Sequence, residues 1–163
     1  MNKANSFNVL RLISGNEKIM IEALDGQATI ANAKNIFKSF IDTDFKNWGL
    51  NNPSSATGET LLDIHEMVRD ATFNQMFNSL NTDLDKLVMT QAQIIRFCEK
   101  HPTWFRQGGL GTFFLIKENS EYFVVLVGVY SDGLLVNVYR FGYDYVWRAE
   151  YRPRLVVPQR PFN

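Results

Sequence analysis

A single cysteine, Cys98, occurs in the 163-residue chain, so no disulfide can close within it. That scarcity fits a reducing compartment, and the cytoplasm is the expected location. Histidine is almost as scarce: His65 and His101 are the only two. A zinc centre needs about four donors, so Cys and His alone cannot supply one. Net charge is also missing, because 17 basic residues balance 17 acidic ones. No general polyanion-binding signature remains. No segment approaches the roughly 18 consecutive apolar residues of a membrane span. The opening "MNKANSFNVLRLISGNEKIM" lacks an apolar core followed by a small-residue cleavage site. A membrane partner is therefore not expected. Repeats and low-complexity tracts are lacking too.

What is present is apolar and aromatic mass. Hydrophobic residues make up 45% of the chain, with thirteen Phe, six Tyr and three Trp, which argues against disorder. The length suits one substantial core, so residues 1–163 read as a single compact domain. Charge is unevenly placed. Residues 61–89 set Asp63, Glu66, Asp70, Asp83 and Asp85 against Arg69 and Lys86. Residues 140–163 set Arg140, Arg148, Arg152, Arg154 and Arg160 against Asp144 and Glu150.

Periodicity assigns the elements. "KIMIEAL" ending at Asp25-Gly26 reads as a short strand. Ile30, Ala33, Phe37 and Phe40 recur at helical spacing behind Thr29, which predicts a helix over about 30–41. "NWGLNNPSSATGET" is loop, and "TLLDIHEM" fits strand or helix. Thr72 with Gln75, and Thr90 with Gln93, can form reciprocal capping boxes, which predicts helices over about 73–80 and 90–101. Pro102 ends the second. From Gly108 the period shortens to two, with strands mainly within 112–157 and turns at Glu118–Ser120 and Ser131–Gly133. Pro153 confines its part of the chain to an edge or bend. The fold class is therefore α+β: a mainly helical N-terminal half packed as a second layer on a C-terminal antiparallel β-meander of four to five strands. A small open barrel of the last five strands is the alternative.

Four residues are candidates for catalysis. Cys98 and His101, three apart, share a helix face and could act as a thiolate–imidazole pair or ligate a metal. The plainer reading makes Cys98 a core residue and His101 a helix end. His65 beside Glu66, near Asp63 and Asp70, offers a base with carboxylates, although adjacent residues diverge on a strand or helix. "HEMVRD" also lacks the second histidine of helical zinc proteases. "QGGLG" precedes a strand, not a helix, and so does not read as a phosphate loop. No cofactor or metal is expected.

The aromatic and arginine content near the C-terminus is the richest surface candidate. Tyr145, Trp147, Arg148, Tyr151, Arg152 and Arg154 are the binding candidates, alongside Tyr139, Tyr143 and Arg140. Such residues suit protein interfaces, and they also stack on bases and neutralise phosphates. A protein partner or self-association is expected; single-stranded nucleic acid is weighed but not favoured. The function read from the residues is a small soluble binding module, with a small hydrolase-like enzyme as the alternative.

"DGQATIANAKNIFKSFIDTDFKNWG", "HEMVRDATFNQMF", "VMTQAQIIRFCEKHPTWF", "GTFFLIK" and "SDGLLVNVYRFGYDYVWRAEYRPRLVVPQ" together resemble a group of small uncharacterised bacterial proteins with no established function, over roughly residues 18–159. The resemblance implies a single unit of conserved length. It supplies no catalytic assignment.

Overall fold

The computed structural model describes residues 8–107 and 111–159. Within them lie eight strands: β1 (Leu10–Leu12), β2 (Ile19–Ile21), β3 (Phe40–Ile41), β4 (Thr60–Met67), β5 (Thr112–Glu118), β6 (Glu121–Tyr130), β7 (Gly133–Arg140) and β8 (Arg154–Pro158). Three α-helices accompany them: α1 (Asp44–Asn47), α2 (Phe73–Asn78) and α3 (Gln91–Lys100). All the strands form one mixed sheet in the order β1–β4–β8–β5–β6–β7–β3, and β2 also pairs with β4. The β5–β8 and β3–β7 pairs are parallel and the others antiparallel.

The sheet is covered on both faces, and the sequence of β5 explains why. "FFLI" has no polar alternation, the pattern of a strand buried on both sides. Phe114 and Ile116 join Phe123, Val125, Val127, Val136, Val138 and Val156 in one core. There Ile94, Phe97 and Cys98 of α3 and Phe45 of α1 close over them. Phe113 and Leu115 join Val124, Leu126, Leu155 and Val157 in the other, beneath Phe73, Met76 and Phe77 of α2. The expected two layers are thus three. The expected helical N-terminal half instead contributes β1–β4, and β8 lies inside the sheet between β4 and β5.

The two capping boxes are present. Thr72 Oγ1 accepts from Gln75 N–H at 3.2 Å and Thr90 Oγ1 from Gln93 N–H at 3.1 Å, each glutamine returning the bond. The expected helix over 30–41 is absent. A single 3₁₀ turn, Ile30–Asn32, is followed by bends and by β3. Ile30, Ala33 and Phe37 still enter the core, while Phe40 stays exposed. Tertiary bonds compete for this backbone: buried Gln91 accepts from Ile30 N–H at 2.9 Å and donates to the Leu50 carbonyl at 2.7 Å. Weak helix formers, Asn32, Asn35 and Ser39 among them, offer little to set against that, and the Thr29 side chain makes no cap bond. "TLLDIHEM" is a strand because both of its edges find partners, β1 and β2 on one side and β8 on the other.

Candidate binding surface

Between β7 and β8, residues 141–153 form a strap that crosses the end of the α2-side core. Of the one or two strands that "YVWRAEYRPRLVVP" suggests, β8 forms and the strap before it is not strand. Tyr143 N–H bonds the Arg140 carbonyl at 3.0 Å and turns the chain. Trp147 then exchanges two backbone bonds with Ala71, at 2.8 and 3.1 Å. The Asp70 carboxylate accepts from Ala149 N–H at 2.8 Å. A 3₁₀ turn, Ala149–Tyr151, ends at Arg152 in the left-handed region, φ 51°, and buried Pro153 leads into β8. Pro153 fits this bend: it has no N–H to offer, yet its carbonyl accepts from Met67 N–H at 2.9 Å.

Trp147 anchors the strap. Its ring packs on Phe113 at 5.0 Å, Phe73 at 5.2 Å and Tyr139 at 5.7 Å between centroids. Outward from it runs a ladder in which Tyr145 meets Trp147 edge-on at 4.8 Å. Tyr143 lies nearly parallel to Tyr145 at 5.9 Å and to Tyr139 at 5.3 Å. The ladder is half in water, with Tyr143 43% and Tyr145 47% exposed. Four of the six binding candidates, Tyr145, Trp147, Arg148 and Tyr151, line one hollow of about 250 Å³ floored by Phe113. Arg152 is exposed beside them. Arg154 turns away: it donates to the Trp104 carbonyl at 2.9 Å and lies 3.6 Å from Glu66. Arg160 and residues 108–110 of "QGGLG" lie outside the described residues.

The four catalytic candidates do not converge. His65 and Glu66 are buried on β4 and, as neighbours on a strand, point to opposite faces. Glu66 sits between Arg11 at 3.1 Å and Arg154 at 3.6 Å, an internal ion-pair network. Cys98 lies in the α3-side core, where burial pushes its thiol pKa far up, away from the thiolate that nucleophilic chemistry needs. His101 caps the C-terminus of α3, with Nε2 2.9 Å from the Met20 carbonyl and its ring against Phe97. Among the described residues no group of three or more His, Cys, Asp or Glu is placed to hold a metal ion, and no helix is long and apolar enough to cross a membrane.

A larger feature adjoins the strap. A groove of about 750 Å³ runs along the outer side of β7, lined by Asp42, Asp44, Trp48, Glu121, Tyr139 and Tyr143 among others. Arg140 stacks on Trp48, its guanidinium 4.5 Å from the ring centre, and reaches Glu121 at 3.4 Å. At the rim the Tyr122 hydroxyl and Lys117 both donate to Asp85. Those hydrogen bonds, Tyr122's first, hold the Asp85 carboxyl below its ordinary pKa. Sequence reasoning passed over Asp42, Asp44 and Trp48, because nothing local ties "IDTDFKNWG" to a strand some ninety residues later. The paired acids before a tryptophan were the available signal.

Comparison with known proteins returned no match: no family model fits the chain, and no curated protein or solved structure matches it.

Proposed function

We propose that the chain is a small binding module of the bacterial cytoplasm that engages a protein partner through the strap. The observation that carries this reading is the convergence of Tyr145, Trp147, Arg148 and Tyr151 on one hollow beside a half-exposed tyrosine ladder. Tyrosine and tryptophan bring large contact area at small entropic cost, and arginine adds charge with a planar fork of hydrogen-bond donors. Trp147 is already immobilised by Phe73 and Phe113, which lowers that cost further. A catalytic reading of His65 with Glu66, or of Cys98 with His101, has less support, since three of these side chains are buried.

The test is photo-crosslinking from benzoylphenylalanine placed at Tyr145, with exposed Lys34 as control, in cells that express the chain. A discrete adduct from position 145 alone, identified by mass spectrometry and lost with Arg148→Glu, is the expected result. A second copy of the chain in that adduct would identify the partner as self. Equal adducts from both positions, or an adduct displaced by single-stranded oligonucleotide, would refute a protein-binding strap.

A further inference from the structure

The outer edge of β7 is only partly used. β3 pairs with it through Phe40 opposite Leu135 and Ile41 opposite Val136, and then leaves. The bonds made on this side fix which backbone groups face outward. The Leu134 carbonyl accepts from Ser39 N–H at 3.0 Å, and the Val136 carbonyl from Asp42 N–H at 2.9 Å. Val138 N–H donates at 3.1 Å to an Asp42 carboxylate oxygen, a side chain standing where a neighbouring strand's carbonyl would be. Antiparallel pairing with β6 alternates these directions residue by residue, so the Val138 carbonyl and the Arg140 N–H also face outward. Phe141 N–H bonding back to the Tyr122 carbonyl at 3.2 Å confirms the phase. Apart from the sheet ladder, no backbone bond among the described residues engages the Val138 carbonyl or the Arg140 N–H.

Val138 and Arg140 both line the 750 Å³ groove. Unused strand-edge groups beside a cavity are a template for another strand, and proteins usually cover or blunt them. The groove walls suit alternating side chains. On one face of the sheet stand Trp48 and Arg140, and on the other Tyr139 and Tyr143. Its charge is one-sided, with Asp42, Asp44 and Glu121 against the single guanidinium of Arg140. An acidic groove favours a cationic occupant and rejects an anionic one.

We propose that this groove receives an extended segment of a protein partner, which adds to the β7 edge in line with β3 and places a lysine or arginine side chain against Asp42 and Asp44. Backbone pairing to Val138 and Arg140 supplies register, and the carboxylates supply selectivity. The inference rests on the binding-module reading, because Tyr143 joins the groove to the strap. Tyr145 and Tyr151 line the separate hollow, so the two can fail independently.

The experiment uses the isotopically labelled full chain and short capped peptides of alternating Thr and Val with a central Lys or Glu, followed by NMR. The lysine peptide is expected to shift the Arg140 and Val138 amide signals and the Trp48 indole signal. The glutamate peptide should bind about tenfold more weakly, and Asp44→Asn, which removes one of the two carboxylates proposed to meet the lysine, should shrink that preference to about threefold. Methylating alternate peptide nitrogens on the edge-facing side should abolish the shifts. An unmoved Arg140 amide, equal binding of the two peptides, or full binding of the methylated peptide each overturns strand addition. A Tyr145 adduct without any peptide response would remove the groove and leave the strap. A peptide response without that adduct would do the reverse.

Discussion

The segment Thr112–Glu118 and the strap over residues 141–153 are both built from large apolar and aromatic side chains, yet they meet opposite fates. The segment in β5 has β6 along one edge, β8 and then the Val88 bridge on the other, and a core on each face, so Phe113, Phe114 and Leu115 are fully buried. The strap has the Ala71–Trp147 bridge and the Asp70 carboxylate to hold it, and its tyrosines lie half in water. The presence of large side chains does not separate the two. Backbone pairing does, because a chain paired on both edges can be covered above and below without leaving peptide groups unsatisfied. A strap pinned at a few points buries one side and offers the other.

Substitutions can break or sharpen that contrast. The largest effect is expected in the sheet: Phe114→Ala removes a fully buried ring and should cost about 3–5 kcal/mol, read from the urea midpoint. Next is Cys98, a probe of the packed side. Its native thiol should react with a maleimide at least about a hundredfold more slowly than in the urea-unfolded chain, equivalent to about 2.7 kcal/mol. Burial raises the folded thiol pKa above the unfolded value of about 8.5, so the folded chain keeps its proton where the unfolded chain loses it. That contribution is full at neutral pH and shrinks as pH rises above about 8.5. Cys98→Ala should lack this part of the alkaline decline, a comparison of urea midpoints that isolates the thiol.

Smaller effects belong to the strap. Asp70→Ala removes the acceptor for Ala149 N–H and should cost about 1 kcal/mol. Faster hydrogen exchange confined to residues 145–152 would show that the tether is local, whereas uniform loss of protection would make the strap part of the main cooperative unit. Tyr145→Ser should change stability by no more than about 0.5 kcal/mol, because its ring is half exposed. It should nevertheless abolish partner binding, and a large destabilisation instead would assign the tyrosine ladder to the core.

Local signals were readable where the bonds they specify are short-range. Thr72 with Gln75 and Thr90 with Gln93 marked α2 and α3, and the turns at Asn119 and Gly133 marked the meander, because each pattern completes its own hydrogen bonds within a few residues. The stretch from Ile30 to Ile41 misled for the converse reason. Its apolar spacing reported burial correctly for Ile30, Ala33 and Phe37, but Gln91 and β7 claim the backbone that a helix would have used. The strap's residue types stood out by composition alone, while the groove beside it did not, since Asp42 and Trp48 reach Tyr139 only through the β3–β7 pairing.

By itself, then, the sequence determined that this chain would bury a large apolar and aromatic core, cap two helices and run a C-terminal meander, which is three strands long, β5 to β7, where four to five were expected. These follow from side-chain chemistry and neighbours within a turn. Only the tertiary structure decided that helices cover both faces, that β8 inserts between β4 and β5, that Cys98 is sealed while Tyr145 is offered, and that the end of β7 stands open beside three carboxylates. Those outcomes depend on which distant strand claims each backbone edge, and local periodicity carries no record of that choice.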